Sequence, residues 1–223
     1  MRAAAFSLCL ILAACASAAG VADAPAPFTA AAPAQTAPQE ADYPVAVDLP
    51  AGTYRLDPRH ASVLFRIRHM QLAWFTARFD TIETSLELDP ADPSRSRLSA
   101  AIEASSVNTG VLSAQGERGF DRQIARALGG GRITFTSTAI ERTGANTARV
   151  TGDLTMNGQT HPLTLEASFA GGAVDPLRGA AMVLGFSAHG VIDRSQWGVN
   201  DWSAFAGNDV QIVIEVELVR AAS

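Results

Sequence analysis

Residues 59–79, RHASVLFRIRHMQLAWFTARF, decide the fold. From Ala61 the chain alternates, with Ala61, Val63, Phe65 and Ile67 on one face and Ser62, Arg66 and Arg68 on the other. This is the period of a half-buried strand, and Leu64 is its one breach. A short interruption at His69 to Leu72 precedes a second run in which Phe75, Ala77 and Phe79 face one way and Thr76, Arg78 and Asp80 the other. Two amphipathic strands therefore meet around a compact connection.

Working outward, nearly everything beyond Pro50 has the same character. Thr53 to Asp57 opens the domain. The second strand continues into Ile82, Thr84, Leu86 and Leu88, where the apolar parity moves from odd to even numbers, the mark of a bulge or sharp bend. Leu98 to Ala104, Ile133 to Ala139, Met182 to Ala188 and Val210 to Leu218 alternate in turn. Val150 to Met156 and Leu163 to Phe169 flank Asn157-Gly158, a pair suited to a tight type I′ turn. The one helical period lies between Gly110 and Leu128, where Phe120, Ile124 and Leu128 recur every four residues before Gly129-Gly130-Gly131. About eight antiparallel strands and one short helix imply a single closed barrel. At that strand number the interior is either filled by side chains or open for one small ligand, and periodicity does not choose between them.

The 223-residue chain is 48% hydrophobic and 17% charged, enough for one substantial core. All 17 of its basic residues are arginine, so Schiff-base chemistry on a lysine is excluded. A net charge of −5 gives no electrostatic footprint for nucleic acid.

The first 19 residues read as an export signal: Met1-Arg2, an apolar run from Ala3 to Leu12, then Leu12-Ala13-Ala14-Cys15. The last four resemble a bacterial lipobox, which implies lipidation at Cys15 and a membrane anchor. Ala16-Ser17-Ala18 offers the rival of ordinary cleavage and release. Residue 16 is not aspartate, so a lipidated product is expected at the outer membrane rather than held at the inner one. Residues 20–50 hold six of the eleven prolines among alanines and polar residues and read as a linker. Cys9 and Cys15 are the only cysteines, which leaves the domain at 52–220 without a disulfide or a thiol nucleophile.

The chemistry of the domain is sparse. His60, His69, His161 and His189 show no zinc-ligand spacing. Gly185-Phe-Ser187-Ala-His189 lacks the second glycine of a nucleophile elbow, and Gly129 to Gly131 is followed by no phosphate-binding lysine. No catalytic group, metal or cofactor is assigned.

Three blocks in the right order carry a family resemblance: His60-Ala-Ser-Val-Leu-Phe-Arg-Ile-Arg-His69-Met with Phe79 after it, Gly152-Asp-Leu-Thr-Met-Asn-Gly-Gln-Thr-His-Pro162-Leu, and Ile192-Asp-Arg194-Ser-Gln-Trp197-Gly198-Val. They resemble the YceI-like polyisoprenoid-binding family. Gly129-Gly-Gly-Arg132 departs from it, since the family usually has a proline ahead of the strand after the helix. The resemblance implies an all-β, extended eight-stranded antiparallel lipocalin-like barrel in the periplasm, carrying or storing a long isoprenoid such as a polyprenyl lipid or quinone. On that view Val63, Phe65, Ile67, Phe79, Phe135, Leu154, Leu165, Phe169, Phe186, Ile212 and Ile214 point inward as ligand wall or as plain core. Tail transfer from bilayer to barrel is near neutral, because the tail is buried in both, so selectivity rests on tunnel shape and on polar groups at the mouth. His60, His69, Arg194 and Trp197 are the candidates for that role. The alternative is an envelope enzyme acting on an isoprenoid-type lipid, with His60 or His69 as acid or base. A homodimer is compatible with either reading.

Overall fold

The computed structural model describes residues 49–222; the export signal, Cys15 and all but the last two residues of the linker lie outside them. Ten strand segments run in the order β1 (Gly52–His69), β2 (Ala73–Phe79), β3 (Ile82–Leu88), β4 (Arg97–Glu103), β5 (Val107–Asn108), β6 (Arg132–Arg142), β7 (Thr147–Met156), β8 (Gln159–Asp175), β9 (Ala181–Asp193) and β10 (Ala206–Arg220). The one α-helix among the described residues, α1 (Gly119–Ala127), falls between β5 and β6. It begins nine residues inside the span that the sequence left open to a helix, because residues 109–118 form a loop. Asp121 holds that loop by accepting from the Thr109 N–H at 3.1 Å and the Thr109 hydroxyl at 2.5 Å.

The ten segments make eight staves. β3 pairs with the start of β1, from Gly52↔Leu88 to Arg55↔Ser85, and β2 with its end, from Val63↔Phe79 to His69↔Ala73. β2 and β3 are thus one strand broken at Asp80-Thr81, where the parity change in the sequence falls. β5 continues β4 in the same way, lying beside β2 at Arg78↔Asn108 and Phe79↔Val107. The sheet runs β10-β9-β8-β7-β6-β4-β3-β1, and the β10–β1 pairing closes it. An eight-stave closed sheet leaves no free edge.

The opening stretch behaves as its alternation requires. Val63, Phe65 and Ile67 sit opposite Ile214, Ile212 and Val210 of β10, all on the inner face. β1 is nonetheless one strand with a large bulge rather than two elements: between Leu56↔Leu218 and Ala61↔Val216, residues Asp57 to His60 oppose Glu217 alone. Pro58 sits within that bulge, where its missing N–H costs no ladder bond. A second bulge, between Ser137 and Ala139 in β6, shifts parity again. Ala139 therefore faces outward, contrary to the simple alternation, and Ile140 takes its place inside. At the β7–β8 hairpin Asn157 and Gly158 have φ of 50° and 72°, as a type I′ turn demands.

The interior has two parts. At the end where β1 begins, Tyr54, Leu86, Leu184 and Leu218 are almost fully buried and pack together with Phe169, Phe186 and Met182 around them. The Tyr54 hydroxyl donates to the Pro50 carbonyl at 2.7 Å. Toward the other end lies a larger cluster built on Val63, Phe79, Ile133, Leu154 and Trp197, against which Phe65, Ile67, Phe75, Ile102, Phe120 and Ile212 are only partly buried. All six of the latter border an apolar cavity. The barrel is packed at one end and hollow at the other.

Candidate functional site

The hollow is a cavity of about 290 Å³, near the lower end of the range for small-molecule pockets. Its barrel wall comes from Val63, Phe65, Ile67, Phe75, Phe79, Ile102, Ile133, Leu154, Met156, Val210 and Ile212. α1 covers one side with Phe120, Ile124, Ala127 and Leu128, the every-fourth-residue stripe of the sequence. Val199, Trp202 and Phe205 of the segment before β10 complete the lining. Five aromatic rings form a ladder through it: Phe79 to Phe65 at 5.6 Å, Phe65 to Phe75 at 6.4 Å, Phe75 to Phe120 at 5.7 Å and Phe120 to Trp202 at 5.9 Å. The ladder runs from buried Phe79 to Trp202, which is 39% exposed at the rim. Offset and edge contacts of this kind hold rings in place while leaving an apolar groove beside them.

The polar lining is three residues, His69, Arg194 and Asp201. Arg194 is 5% exposed and its guanidinium is committed to backbone. Nε donates to the Gly207 carbonyl at 2.8 Å, Nη1 to those of Val199 at 2.6 Å and Asp201 at 2.8 Å, and Nη2 to that of Ala206 at 3.2 Å. Four of its five donors are thereby used to shape the loop at 198–207. Asp193 caps the preceding short turn by accepting from the Ser195 N–H at 3.0 Å and hydroxyl at 2.6 Å. Gly198, at φ 70°, then reverses the chain. The block Asp193-Arg-Ser-Gln-Trp197-Gly is in this way a device for building the mouth, and Arg194 acts there chiefly as a clamp.

The other residues singled out in the sequence separate into groups. Val63, Phe65, Ile67, Phe79, Leu154, Ile212, His69 and Arg194 border the cavity. Leu165 and Ile214 belong to the packed layer beneath it. Phe135 is outside this cavity: its ring lies over Gly152, whose Cβ, if present, would fall 2.5 Å from it, and it borders a separate, more open cleft beside Leu56, Ile82 and Ala100. Phe169 and Phe186 face each other at 5.3 Å in the cluster at the packed end, outside the cavity lining. Trp197 is 1% exposed, donates from Nε1 to the Leu154 carbonyl at 3.0 Å and stacks edge-on with His161 at 5.1 Å, so it fills the wall rather than reaching the mouth.

His60 requires a correction of place. It lies on the β1 bulge, nine residues along the strand from His69, and does not share the mouth with it. Its Nδ1 is 2.6 Å from Asp57 Oδ2 and 3.3 Å from Glu217 Oε2. The three residues bring one ligand atom each within 4.8 Å of one another. The Arg178 guanidinium, however, already donates to the same Asp57 oxygen, so the group is an ion network that ties the bulge to the β8–β9 connection. Burial alone would raise the Asp57 pKa, but the hydrogen bonds from Arg178, His60 and the Arg59 N–H outweigh it and hold the carboxyl at about 2.

Sequence reasoning missed Phe75, Ile102, Phe120, Ile124, Leu128, Trp202 and Phe205 as cavity wall. The helical stripe and the odd face of β2 were legible, but alternation says which side chains point inward and not which inward ones border a void. Phe205 and Trp202 lie in a loop with no period at all.

A closed antiparallel barrel, hollow and apolar at one end and capped there by a helix, is the class that this fold and site define. The chain belongs to the YceI-like family, whose domain model matches residues 54–218. It is 33% identical over 176 residues to a UPF0312 protein of Serratia proteamaculans, covering 77% of this chain and 88% of that protein. It is 32% identical over 175 residues to Protein YceI of Salmonella newport, covering 76% and 88%. Among solved structures, BcnA of Burkholderia cenocepacia superposes with a TM-score of 0.61 at 20% identity, over 73% of this chain and 98% of BcnA. A polyisoprenoid-binding domain of Saccharophagus degradans implicated in plant cell wall breakdown does so with a TM-score of 0.54 at 11% identity, over 77% and 100%. At those identities the likeness is one of fold.

Proposed function

We propose that this protein binds a long apolar lipid of the isoprenoid class, a polyprenyl lipid or a quinone, and carries or stores it in the cell envelope. The observation that carries the reading is the cavity: apolar from Phe79 to Trp202 and polar only at His69, Arg194 and Asp201. Such a site holds a tail by shape and meets a head group with few polar atoms. Membership of the YceI-like family and the name of the Saccharophagus structure support the ligand class. The export signal and the lipobox-like Leu12 to Cys15 support placement in the periplasm, with the anchor at the outer membrane. The alternative of an enzyme with His60 or His69 as acid or base keeps only His69 at the cavity, because His60 lies nine residues along β1 and outside the lining. Native mass spectrometry with lipid extraction, on protein purified from its own host, tests the reading. A co-purified isoprenoid recovered chemically unchanged is the expected result; recovery of a converted product favours the enzyme, and a lipid-free protein that takes up no polyprenyl lipid or quinone overturns both.

A further inference from the structure

The rim of the cavity is apolar on its outer side as well. The β1–β2 turn presents Met70 at 54% and Leu72 at 78% exposure, and beside it stand Trp202 and Phe205 at 39% and 55%. The two loops are joined, since the Met70 N–H donates to the Phe205 carbonyl at 2.6 Å. β5 runs antiparallel to β2, so the chain leaving it heads toward the same end and carries Val111 and Leu112, at 47% and 60% exposure. Met70, Gln71 and Trp202 take φ of 51°, 59° and 57°, conformations that L side chains rarely adopt, and so hold these loop tips outward.

Just below the turn is a second feature. Trp74 lies on the outer face of β2 with the Arg68 guanidinium 4.4 Å and the Arg66 guanidinium 5.2 Å from its ring centre. Seven of the sixteen arginines among the described residues face a carboxylate, as Arg78 faces Asp80, Arg132 faces Glu83 and Arg149 faces Glu166. Among the described residues Arg66 and Arg68 form no ion pair; the Arg66 Nε donates to Gln211 at 2.8 Å.

An apolar tip, then an aromatic ring, then unpaired cations is the order of layers met on leaving a bilayer: acyl chains, interface, phosphates. We propose that the mouth docks on the surface of an anionic phospholipid bilayer, with Leu72, Leu112 and Phe205 entering the acyl boundary and Arg66 and Arg68 at the phosphates. The inference rests on the lipid-binding reading, because it puts the opening of the cavity against the only phase in which such a ligand dissolves. The exposed Leu177, in the connection at the packed end, lies outside the cavity lining, and its neighbour Arg178 is paired with Asp57 and Asp175.

The test uses the full chain with vesicles of phosphatidylglycerol and phosphatidylcholine bearing brominated acyl chains, reading tryptophan emission. Trp197 is buried and gives a constant background. Quenching is expected with phosphatidylglycerol present and is expected to weaken in phosphatidylcholine alone or at high salt. Leu72→Ser with Leu112→Ser should raise the lipid concentration for half-quenching about tenfold or more, Arg66→Gln with Arg68→Gln should abolish the preference for anionic lipid, and Leu177→Ser should change neither. Vesicle-bound protein with unquenched emission, or quenching indifferent to the rim substitutions, overturns the proposal. So does a rim that proves to be covered by a second copy, seen as a dimer that the Leu72→Ser, Leu112→Ser variant no longer forms. Uptake of a polyprenyl alcohol from detergent micelles separates the two claims: its absence in the wild type refutes the lipid-binding reading, while its persistence in the rim variant with loss of vesicle quenching upholds docking.

Discussion

The Asp57 carboxylate, 2% exposed, lies 2.6 Å from the His60 ring nitrogen and also accepts from Arg178 across the barrel's packed end. This contact closes the four-residue bulge that interrupts β1, and it makes stability depend on one buried acid. With the folded-state pKa at about 2 against an ordinary value near 3.8, the contribution is complete above about pH 4. It is lost as pH falls from there through 2 and amounts to about 2 kcal/mol. Asp57→Asn should lower the urea midpoint at pH 7, and the gap to wild type should shrink between pH 4 and pH 2.

Gly152 is fixed by the ring that covers it. A Cβ there would meet the Thr136 carbonyl at 2.4 Å and the Phe135 ring at 2.5 Å. Gly152→Ala must push either backbone or a buried ring and should cost about 1–3 kcal/mol in denaturant unfolding. Gly129, at φ 89°, has a similar constraint, its Cβ position being 2.8 Å from the Asn157 Cα at the hairpin turn.

Gln71→Gly should act in the opposite direction. Gln71 has a φ of 59° with an exposed side chain, and removing its Cβ should relieve about 1 kcal/mol of left-handed strain, read as a rise in Tm.

Arg194→Lys keeps the charge and loses the fork that reaches four carbonyls. The loop at 198–207 should loosen, with faster hydrogen exchange at the Phe205 and Ala206 amides, and stability should fall by about 2 kcal/mol or more.

Much of the frame was legible because alternation is a local signal. Val63, Phe65 and Ile67 could be placed inside from β1 alone, and Asn157-Gly158 named its own turn. What escaped reading depends on distant contacts. The bulge at Asp57 to His60 is tied down by Arg178, 121 residues away, and His60 lies on it, nine residues along β1 from His69 at the mouth. The β1–β2 turn carries no glycine or asparagine to announce it, and Met70 and Gln71 take positive φ without a sequence cue. Which space an inward ring borders depends on its neighbours: Phe135 lies over Gly152 beside the cleft at Leu56 and Ile82, whereas Phe65 borders the apolar cavity.

That division gives the most direct test of the account. Ile212 borders the cavity and Phe186 sits at the packed end, so Ile212→Trp and Phe186→Trp place the same side chain at the two ends. The measurement is the binding of a polyprenyl alcohol to the two folded variants and the wild type. Ile212→Trp should bind at least about tenfold more weakly with little loss of stability, while Phe186→Trp should bind as the wild type does and unfold earlier. Undiminished binding by Ile212→Trp, or its loss in Phe186→Trp alone, would contradict the placing of the ligand in the hollow end.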